Sequence, residues 1–336
     1  MTPNGSKLLT LLAATLALGA CGGGGSTASV PDDGITLADR VSAATATVGT
    51  NPRCSVSTLG AYYWEIGDAS GALASGRVGL SPPGAGTAMR VYSASKWLYA
   101  ASVLQRHADF TDDVKYLNFT SGYTQFGNAP VCVGDTVDEC LIGRDGFDAA
   151  ADGRFAYDSG HMQVHAAEVM GFGGYDNGDL AAELNTTLGN LGFSYWVQQP
   201  AAGVLATPSA YGAFLRRLLD GTLRLGGQLG AHKVCAQSTA SGCNAAYTPD
   251  SIGTERWNYA LGHWVEDDPA IGDHAFSSAG GGGFYPWIDA GRTFYGILAR
   301  ETATEAAAGY HSAECGRLVR QAWLTGQVVT ATTPTP

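Results

Sequence analysis

Segments with strand character lie near both ends of this 336-residue chain, and mainly helical segments separate them. The aromatic-rich run at 59–66 predicts a strand, Gly67-Asp68 a turn, and 72–78 the second strand of a hairpin. Three further strands are predicted towards the C-terminus, at 259–265, 284–288 and 293–299. Strands at both ends of one chain predict an antiparallel sheet formed by the N- and C-terminal segments together.

Helical patterns flank and interrupt this predicted sheet. Polar and apolar residues alternate with helical spacing at 37–48 and again at 314–325. Between about 105 and 255 helices mix with Gly-rich loops, and 210–219 is the clearest amphipathic helix there. We therefore expect an α/β fold, an α+β sandwich, in which helices flank the sheet and a helical region is inserted between its strands.

The first 21 residues predict a targeting segment. Lys7 precedes the apolar run 8–18, which is too short to cross a bilayer. The run ends in a sequence that resembles the bacterial lipobox, in which Cys21 would be lipidated and become the N-terminus; an ordinary secretory signal is the alternative. The resemblance implies an exported lipoprotein of the bacterial envelope, in the periplasm or at the outer membrane. The Gly-rich 22–34 would be a flexible tether to the membrane.

The rest of the chain is expected to form one domain. We find no internal repeat and no second linker, so this domain should span 35–328, and the Thr- and Pro-rich 329–336 should be a loose tail. The composition, 45% hydrophobic and 15% charged, is that of a globular protein. A net charge of -11 without a basic cluster argues against nucleic acid as a partner, because phosphate contacts need Lys and Arg.

Six cysteines remain after Cys21, and an even number in an exported chain predicts disulfides. Local pairing across short polar loops is the simplest assignment, and the remaining pair would then join the two ends of the domain: Cys132–Cys140, Cys235–Cys243 and Cys54–Cys315. Six cysteines allow fifteen pairings, so the others stay open. No Cys-x-x-Cys occurs and no histidines fall at zinc-ligand spacings, so we expect neither a metal nor another cofactor.

Ser93-x-x-Lys96 is the strongest chemical pattern in the chain. On a helix, residues three apart lie on one face with Cβ atoms about 5–6 Å apart, so the lysine amine can reach the serine hydroxyl. Serine must lose its proton as it attacks, and a desolvated lysine can accept that proton. The alternative is a serine N-cap followed by a surface lysine. The apolar run 97–101 favours the catalytic interpretation, because a lone lysine opening an apolar helix needs a partner.

Five further segments follow Ser93-x-x-Lys96 and resemble, in order, the motifs of one enzyme superfamily: 116–123, 152–161, 203–211, 257–264 and 277–289. The sequence resembles the penicillin-recognising serine hydrolases, which include class C β-lactamases, DD-peptidases, related esterases and nylon-oligomer amidases. The resemblance implies a β-lactamase/transpeptidase-like sandwich with its active site between the sheet and the inserted helical region.

Matching these motifs assigns roles to individual residues. Ser93 would attack a carbonyl carbon and form an acyl-enzyme. Tyr157 stands where the family has its catalytic tyrosine, and would share proton transfer with Lys96, whose ammonium group would lower the pKa of Tyr157. Ser159 stands where the family commonly has asparagine, and would bond Lys96 or the substrate; a simple turn serine is the alternative. Phe119 replaces a histidine that the family usually carries.

The glycine run Gly280, Gly281, Gly282 lies in the segment that replaces Lys-Thr-Gly in the esterase and amidase branches. An edge strand without side chains would let the substrate lie close to the backbone. The Gly281 N–H and the Ser93 N–H would then form the oxyanion hole. A flexible loop tip is the alternative interpretation of the run.

The missing Lys-Thr-Gly leaves no evident lysine for a substrate carboxylate, although the nearby His274 could substitute. Aromatic side chains could instead line an apolar cleft for a small ester or uncharged amide: Trp196, Trp287, Tyr123 and Tyr285. We therefore expect a serine hydrolase acting on an ester or amide. A β-lactamase or DD-carboxypeptidase is the second hypothesis, and a catalytically inactive lipoprotein that binds a ligand is the third.

Overall fold

The computed structural model of the protein describes residues 33–249, 252, 255–303, 305 and 307–334. The signal segment, the proposed anchor Cys21 and nearly all of the tether 22–34 lie outside these residues. The strands are β1 (Tyr62–Asp68), β2 (Gly71–Val78), β3 (Met89–Arg90), β4 (Ser121–Tyr123), β5 (Phe147–Asp152), β6 (Phe155–Ala156), β7 (Ser194–Tyr195), β8 (Val204–Ala206), β9 (Val234–Cys235), β10 (Ala245–Tyr247), β11 (Asn258–Ala260), β12 (His263–Val265), β13 (Phe276–Ser277), β14 (Tyr285–Ile288) and β15 (Phe294–Ala299). The α-helices are α1 (Leu37–Thr50), α2 (Val56–Leu59), α3 (Ser95–Arg106), α4 (Val114–Leu117), α5 (Val137–Leu141), α6 (Gly160–Val164), α7 (Asn177–Leu188), α8 (Pro208–Leu219) and α9 (Ala308–Thr325).

The predicted antiparallel sheet is confirmed. It has eight strands in the order β2-β1-β15-β14-β13-β12-β11-β9. The N-terminal β1 pairs with the C-terminal β15 over six residues, from Tyr63 opposite Ala299 to Asp68 opposite Phe294. The N- and C-terminal segments therefore meet in one sheet, next to its β2 edge. Smaller sheets, β3-β8-β7, β4-β5 and β10-β6, lie within the inserted region.

Helices cover both faces of the large sheet. Gly316 of α9 lies against the Tyr285 ring, while Gly212 of α8 lies against Glu65 and Tyr295. Tyr285 pairs with Leu298, three residues from Tyr295, so Tyr285 and Tyr295 point to opposite faces. The α8 face also carries α3, whose Trp97 ring packs edge-on against Phe214 of α8. The sandwich predicted from the sequence is thus formed, and α3 lies between the sheet and the inserted region.

Two turns differ from the sequence predictions. Gly67-Asp68 is part of β1, and the turn follows it, where the Asp68 carboxylate accepts the backbone N–H of Ser70 at 2.8 Å. The segment 259–265, predicted as one strand, is the hairpin β11–β12. Its turn residues Leu261 and Gly262 have φ of 42° and 79°, as a tight two-residue hairpin requires. A Cβ on Gly262 would lie 2.5 Å from the Lys96 carbonyl oxygen, so this hairpin packs directly on α3.

The three predicted disulfides are formed. Cα–Cα distances are 5.0 Å for Cys54–Cys315, 4.7 Å for Cys132–Cys140 and 5.3 Å for Cys235–Cys243. The first closes a separation of 261 residues and joins the segment after α1 to α9. Each of the other two joins cysteines that are eight residues apart in the sequence, and both bonds lie in the inserted region or beside it.

The packed chain continues past the domain boundary predicted at 328. The Asn51 side-chain amide donates to the carbonyl oxygens of Val329 at 2.9 Å and Ala331 at 2.8 Å. The Val329 side chain is buried in a small cluster with α1 and α9. At least the first residues of the predicted loose tail are therefore fixed on the domain.

Buried charges fasten α9 to the sheet. The guanidinium of Arg320 donates to Glu266 at 2.8 Å and to both Asp273 oxygens at 2.6 and 2.8 Å. Arg317 forms a two-bond pair with Glu255 at 2.6 and 2.7 Å. Both arginines are almost fully buried, so each depends on its carboxylate partners. None of the helices among the described residues has the length and apolar character that a bilayer crossing requires.

Candidate active site

Ser93 and Lys96 lie at the start of α3, as the sequence predicts. Ser93 is in a single 3-10 turn, Tyr92–Ala94, and the α-helix itself begins two residues later than predicted, at Ser95. The Lys96 Nζ lies 3.0 Å from the Ser93 Oγ and donates to the Ala201 carbonyl oxygen at 3.0 Å. The amine is therefore held in place by the inserted region while it contacts the hydroxyl.

Burial changes the acidity of Lys96. Its side chain is only 1% exposed. Loss of solvation lowers the pKa of Lys96 from its ordinary value to about 7, while the negative charge of Asp158 acts in the opposite direction. A substantial fraction of the amine is consequently neutral near pH 7. A neutral amine beside a serine hydroxyl has the free lone pair that a general base needs.

Tyr157 is brought to the same place from the segment after β6. The Lys96 Nζ lies 5.0 Å from the centre of the Tyr157 ring, and the ring stacks on Trp264 of β12 at 5.3 Å. Burial raises the pKa of Tyr157 to about 12, and interaction with the Ser93 side chain acts in the opposite direction. The prediction that Lys96 lowers the pKa of Tyr157 is wrong, because desolvation dominates at this position. Tyr157 is a neutral phenol here, suited to donate a proton.

Ser159 does not contact Lys96. Its hydroxyl is buried and donates to the Asn128 Oδ1 at 3.2 Å. The Asn128 Nδ2 in turn donates to the Tyr157 carbonyl oxygen at 2.8 Å. Ser159 is therefore a supporting residue, and Asn128 is the polar side chain that reaches the site. The sequence analysis missed Asn128, because it lies in a loop that matches no recognisable pattern.

Asp158 was also missed. Its carboxylate is largely buried and accepts the backbone N–H groups of Gly127 at 2.8 Å and Gly160 at 2.7 Å. Burial raises the pKa of Asp158, and these hydrogen bonds and the Lys96 charge oppose that rise. Asp158 thus holds the loop that carries Asn128 by a hydrogen bond to its backbone, and it places a negative charge near Lys96. An acidic residue directly after the candidate tyrosine was the available signal.

The glycine run is a turn, not an edge strand. The Gly280 N–H donates to the Phe284 carbonyl, and the Gly283 N–H to the Gly280 carbonyl, both at 2.8 Å. The preceding β13 lies between β12 and β14, inside the sheet. Gly280 and Gly281 do line the cavity beside Ser93, but the Gly280 N–H is already engaged. Gly282 instead faces the Tyr92 ring.

Ala279 provides the better-placed backbone donor. The N–H groups of Ser278 and Gly280 both point towards β14, so alternation along the extended chain turns the Ala279 N–H the other way. The Ser278 hydroxyl donates to the Ser93 carbonyl oxygen at 3.2 Å, which places this segment against the nucleophile. Among the described residues the Ala279 N–H has no hydrogen-bond partner. It is available to a substrate oxygen.

A cavity of about 230 Å³ opens at Ser93. Its described lining is Tyr92, Ser93, Asn128, Tyr157, Ala202, Tyr247, Pro249, Ala279, Gly280, Gly281 and Gly309. None of these lining side chains is cationic. The predicted substitute cation, His274, is exposed and lies elsewhere on the surface.

Comparisons with solved structures identify the fold. A β-lactamase from Mycobacterium bovis matches with a TM-score of 0.53 at 14% identity, covering 85% of this chain and 100% of that one. A D-stereospecific amidohydrolase from Streptomyces sp. matches with a TM-score of 0.52 at 14% identity, covering 84% and 99%. EstCE1, a hydrolase with promiscuous acyltransferase activity, matches with a TM-score of 0.56 at 12% identity, covering 82% and 96%. The chain has a β-lactamase-like fold.

No protein-family model matches the sequence, and a search of curated proteins finds no match. The likeness to known proteins is therefore a likeness of fold. In the described part of the chain, no group of three or more His, Cys, Asp or Glu side chains is placed to hold a metal ion.

Phe119 is the clearest departure within this β-lactamase-like fold. It is fully buried, with φ of 59°, and packs edge-on against Tyr157 at 5.4 Å. Its other face stacks on His161 at 5.1 Å. Phe119 therefore fixes the Tyr157 ring by packing and adds no titratable group to the site.

The aromatic lining differs from the prediction. Tyr285 and Trp287 are core residues on the face that packs against α9, and Tyr123 stacks on Tyr116. Trp196 packs edge-on against Tyr92, with ring centroids 6.3 Å apart, and is not among the described lining residues. Tyr92 and Tyr247 line the cavity instead. Neither has a motif that sequence reasoning could have used.

Proposed function

We propose that the protein is a serine hydrolase that cleaves an ester or amide bond through an acyl-enzyme on Ser93. The supporting observation is the 3.0 Å contact between the Ser93 hydroxyl and a fully buried amine whose pKa is lowered to about 7. Asp158, the Ala201 carbonyl oxygen and the Tyr157 ring all favour the charged amine, yet desolvation outweighs them and lowers its pKa, which suits a neutral base. A binding protein would gain nothing from it.

In acylation, the neutral Lys96 amine takes the proton of the Ser93 hydroxyl as Oγ bonds to the substrate carbonyl carbon. The negative charge that develops on the carbonyl oxygen is accepted by the N–H groups of Ser93 and Ala279. Tyr157 donates its proton to the leaving oxygen or nitrogen as the bond to carbon breaks, and Lys96 returns a proton to Tyr157. Water then attacks the acyl-enzyme, and the same groups carry its proton to the Ser93 oxygen.

The described lining of the cavity favours an uncharged substrate. Tyrosines, glycines, alanines, a proline and an asparagine form the described lining, and apart from the proposed base Lys96 behind Ser93 they offer no cation for a substrate carboxylate. A β-lactamase or DD-carboxypeptidase function, which requires recognition of a carboxylate, is for this reason less well supported. Esters and uncharged amides need no such partner.

Labelling with a fluorophosphonate probe tests the proposal. We expect one adduct per chain, located on Ser93 by mass spectrometry and absent in Ser93→Ala. Ser102→Ala is the matched control, because Ser102 lies on the same helix, is buried and bonds Thr187 at 2.8 Å, away from the cavity. Turnover of p-nitrophenyl esters but not of nitrocefin is expected. An unlabelled wild-type protein of intact fold would refute the proposal.

We also propose that the protein is anchored in the bacterial envelope by lipid on Cys21. The support is the lipobox-like Leu18-Gly19-Ala20-Cys21 that ends the apolar run and the Gly-rich tether that follows it. Wild-type protein expressed in a Gram-negative host is expected in the detergent phase of a Triton X-114 partition, and Cys21→Ser in the aqueous phase. Equal partition of both would exclude the anchor.

A further inference from the structure

The cavity lining around Ser93 contains two sets of residues, each held together by its own contacts. In one set, Tyr157, Asn128 and Tyr247 are joined by hydrogen bonds: the Asn128 Nδ2 to the Tyr157 carbonyl at 2.8 Å, and the Tyr157 N–H to the Tyr247 carbonyl at 3.2 Å. In the other set, Tyr92, the turn 280–283 and Gly309 contact one another. We call these the Tyr157 wall and the Tyr92 wall.

The proposed reaction assigns a part of the substrate to each wall. Tyr157 donates its proton to the leaving atom, so the leaving group lies along the Tyr157 wall. The acyl group is bonded to the other side of the carbonyl carbon and must extend towards the Tyr92 wall. Whatever limits the space there limits the acyl groups that can react.

Tyr92 adopts a backbone conformation that is unusual for an aromatic residue. Its φ is 47°, in the left-handed region that glycine and asparagine tolerate best. Tyr92 lines the cavity and is the first residue of the 3-10 turn that presents Ser93. A strained residue directly before the nucleophile persists only where its surroundings hold it.

The glycine turn provides those surroundings. A Cβ on Gly282 would lie 2.4 Å from Cε2 of Tyr92, and a Cβ on Gly280 would lie 2.2 Å from the Val91 carbonyl oxygen. The Tyr92 segment therefore fits against the turn only because positions 280 and 282 are glycine. Trp196 contacts the Tyr92 ring edge-on at 6.3 Å, and the Arg90 guanidinium lies 4.4 Å above the Trp196 ring. The ring is supported on two sides and cannot swing away without moving backbone.

We propose that Tyr92 is a specificity-determining residue that closes the acyl side of the cavity and restricts the protein to substrates with short, uncharged acyl groups. This inference rests on the proposed function. The cavity volume of about 230 Å³ agrees with it, since pockets for larger ligands occupy about 300–1,000 Å³. The glycines at 280 and 282 then have a structural purpose, which is to accommodate the Tyr92 ring and the backbone before it.

The test compares kcat/KM over p-nitrophenyl esters of acetate, butyrate, hexanoate and octanoate. For the wild type we expect a fall of at least about tenfold beyond butyrate. Tyr92→Gly, which suits the positive φ and removes the ring, is expected to recover at least about tenfold on the octanoyl ester. Tyr92→Asn, which also tolerates this conformation, is a second variant should Tyr92→Gly fold poorly. Tyr92→Phe keeps the ring and is therefore expected to show the same fall in kcat/KM beyond butyrate as the wild type.

Tyr247→Ala in the Tyr157 wall is the matched control. It is expected to change the ratio of kcat/KM between the acetate esters of phenol and naphthol, which differ in the size of the leaving group. The fall in kcat/KM for acyl groups longer than butyrate should remain. A flat acyl profile in a wild type whose Ser93 reacts with the fluorophosphonate probe would overturn this inference alone, as would an unchanged fall beyond butyrate in both ring-deleting variants. Failure of Ser93 to react would overturn the proposed function together with it.

Discussion

Replacing Lys96 with methionine should make the protein more stable at neutral pH while abolishing its activity. Burial lowers the pKa of Lys96 from 10.5 to about 7. One pKa unit corresponds to about 1.4 kcal/mol, so keeping the charged form buried costs about 5 kcal/mol at or below pH 7. Methionine fills similar volume without a charge.

The sign of the pH dependence follows from proton binding. Between pH 7 and 10.5 the unfolded chain protonates this lysine and the folded protein does not, so the free energy of unfolding of the wild type rises with pH in that window. Lys96→Met lacks this dependence. The variant leaves the buried Ala201 carbonyl without its donor, which costs about 1–3 kcal/mol. Lys96→Met is therefore expected to have a free energy of unfolding about 2–4 kcal/mol above that of the wild type at pH 7, and below it above pH 10.

Urea denaturation of both proteins from pH 6 to pH 10 measures this difference directly. Groups common to the two proteins cancel in the difference, which isolates Lys96. Lys115→Met removes an exposed lysine and should change stability by no more than about 0.5 kcal/mol at any pH. A difference between wild type and Lys96→Met that does not vary with pH would show that Lys96 is not desolvated as the structure indicates, and would remove the main support for its role as a base.

Three further predictions concern the site and the scaffold. Tyr157→Phe keeps the ring packed on Trp264 and removes the proton, so kcat for ester hydrolysis should fall about 10²–10⁴-fold while the melting temperature stays within a few degrees; an unchanged kcat would exclude the proton-transfer role. Arg320→Leu removes the nearest cation from the buried Glu266, leaving only Arg317 at 4.0 Å, and should lower the free energy of unfolding by about 3–5 kcal/mol in urea titrations, with a loss under 1 kcal/mol contradicting the buried pair. Replacing Cys54 and Cys315 together by alanine should cost about 2–5 kcal/mol by the same measurement, whereas equal stability would mean that the bond does not form.

The proposed base also predicts the pH dependence of the reaction. Because only the neutral amine accepts the Ser93 proton, kcat/KM should rise with pH with an apparent pKa near 7 and fall away below it. Lys96→Arg should be inactive at every pH, since a guanidinium does not lose its proton in this range. Rate measurements from pH 5 to 9 in constant ionic strength would show this. A profile without an inflection near neutrality would point to a different base.

Local sequence patterns predicted the pairing of the terminal strands, the contact between Ser93 and Lys96 and the three disulfides. The strand-like segments at both ends of the chain predicted that the terminal strands share one sheet, and β1 does pair with β15. The i, i+3 spacing of Ser93 and Lys96 predicted that hydroxyl and amine meet, since residues three apart lie on one face of a helical turn. Two short cysteine loops and the remaining pair gave all three disulfides.

What depends on contacts between distant segments was decided only by the tertiary structure. The 259–265 segment folds back as a hairpin because Gly262 must pass close to the Lys96 carbonyl, which no local pattern records. Asn128 replaces Ser159 as the polar group at the site because the buried Asp158 holds its loop there. Hydrophobic periodicity fixes which side of an element is buried, whereas the acidity of Tyr157 depends on how much solvent several separate segments exclude together. That exclusion exists only once the chain is packed.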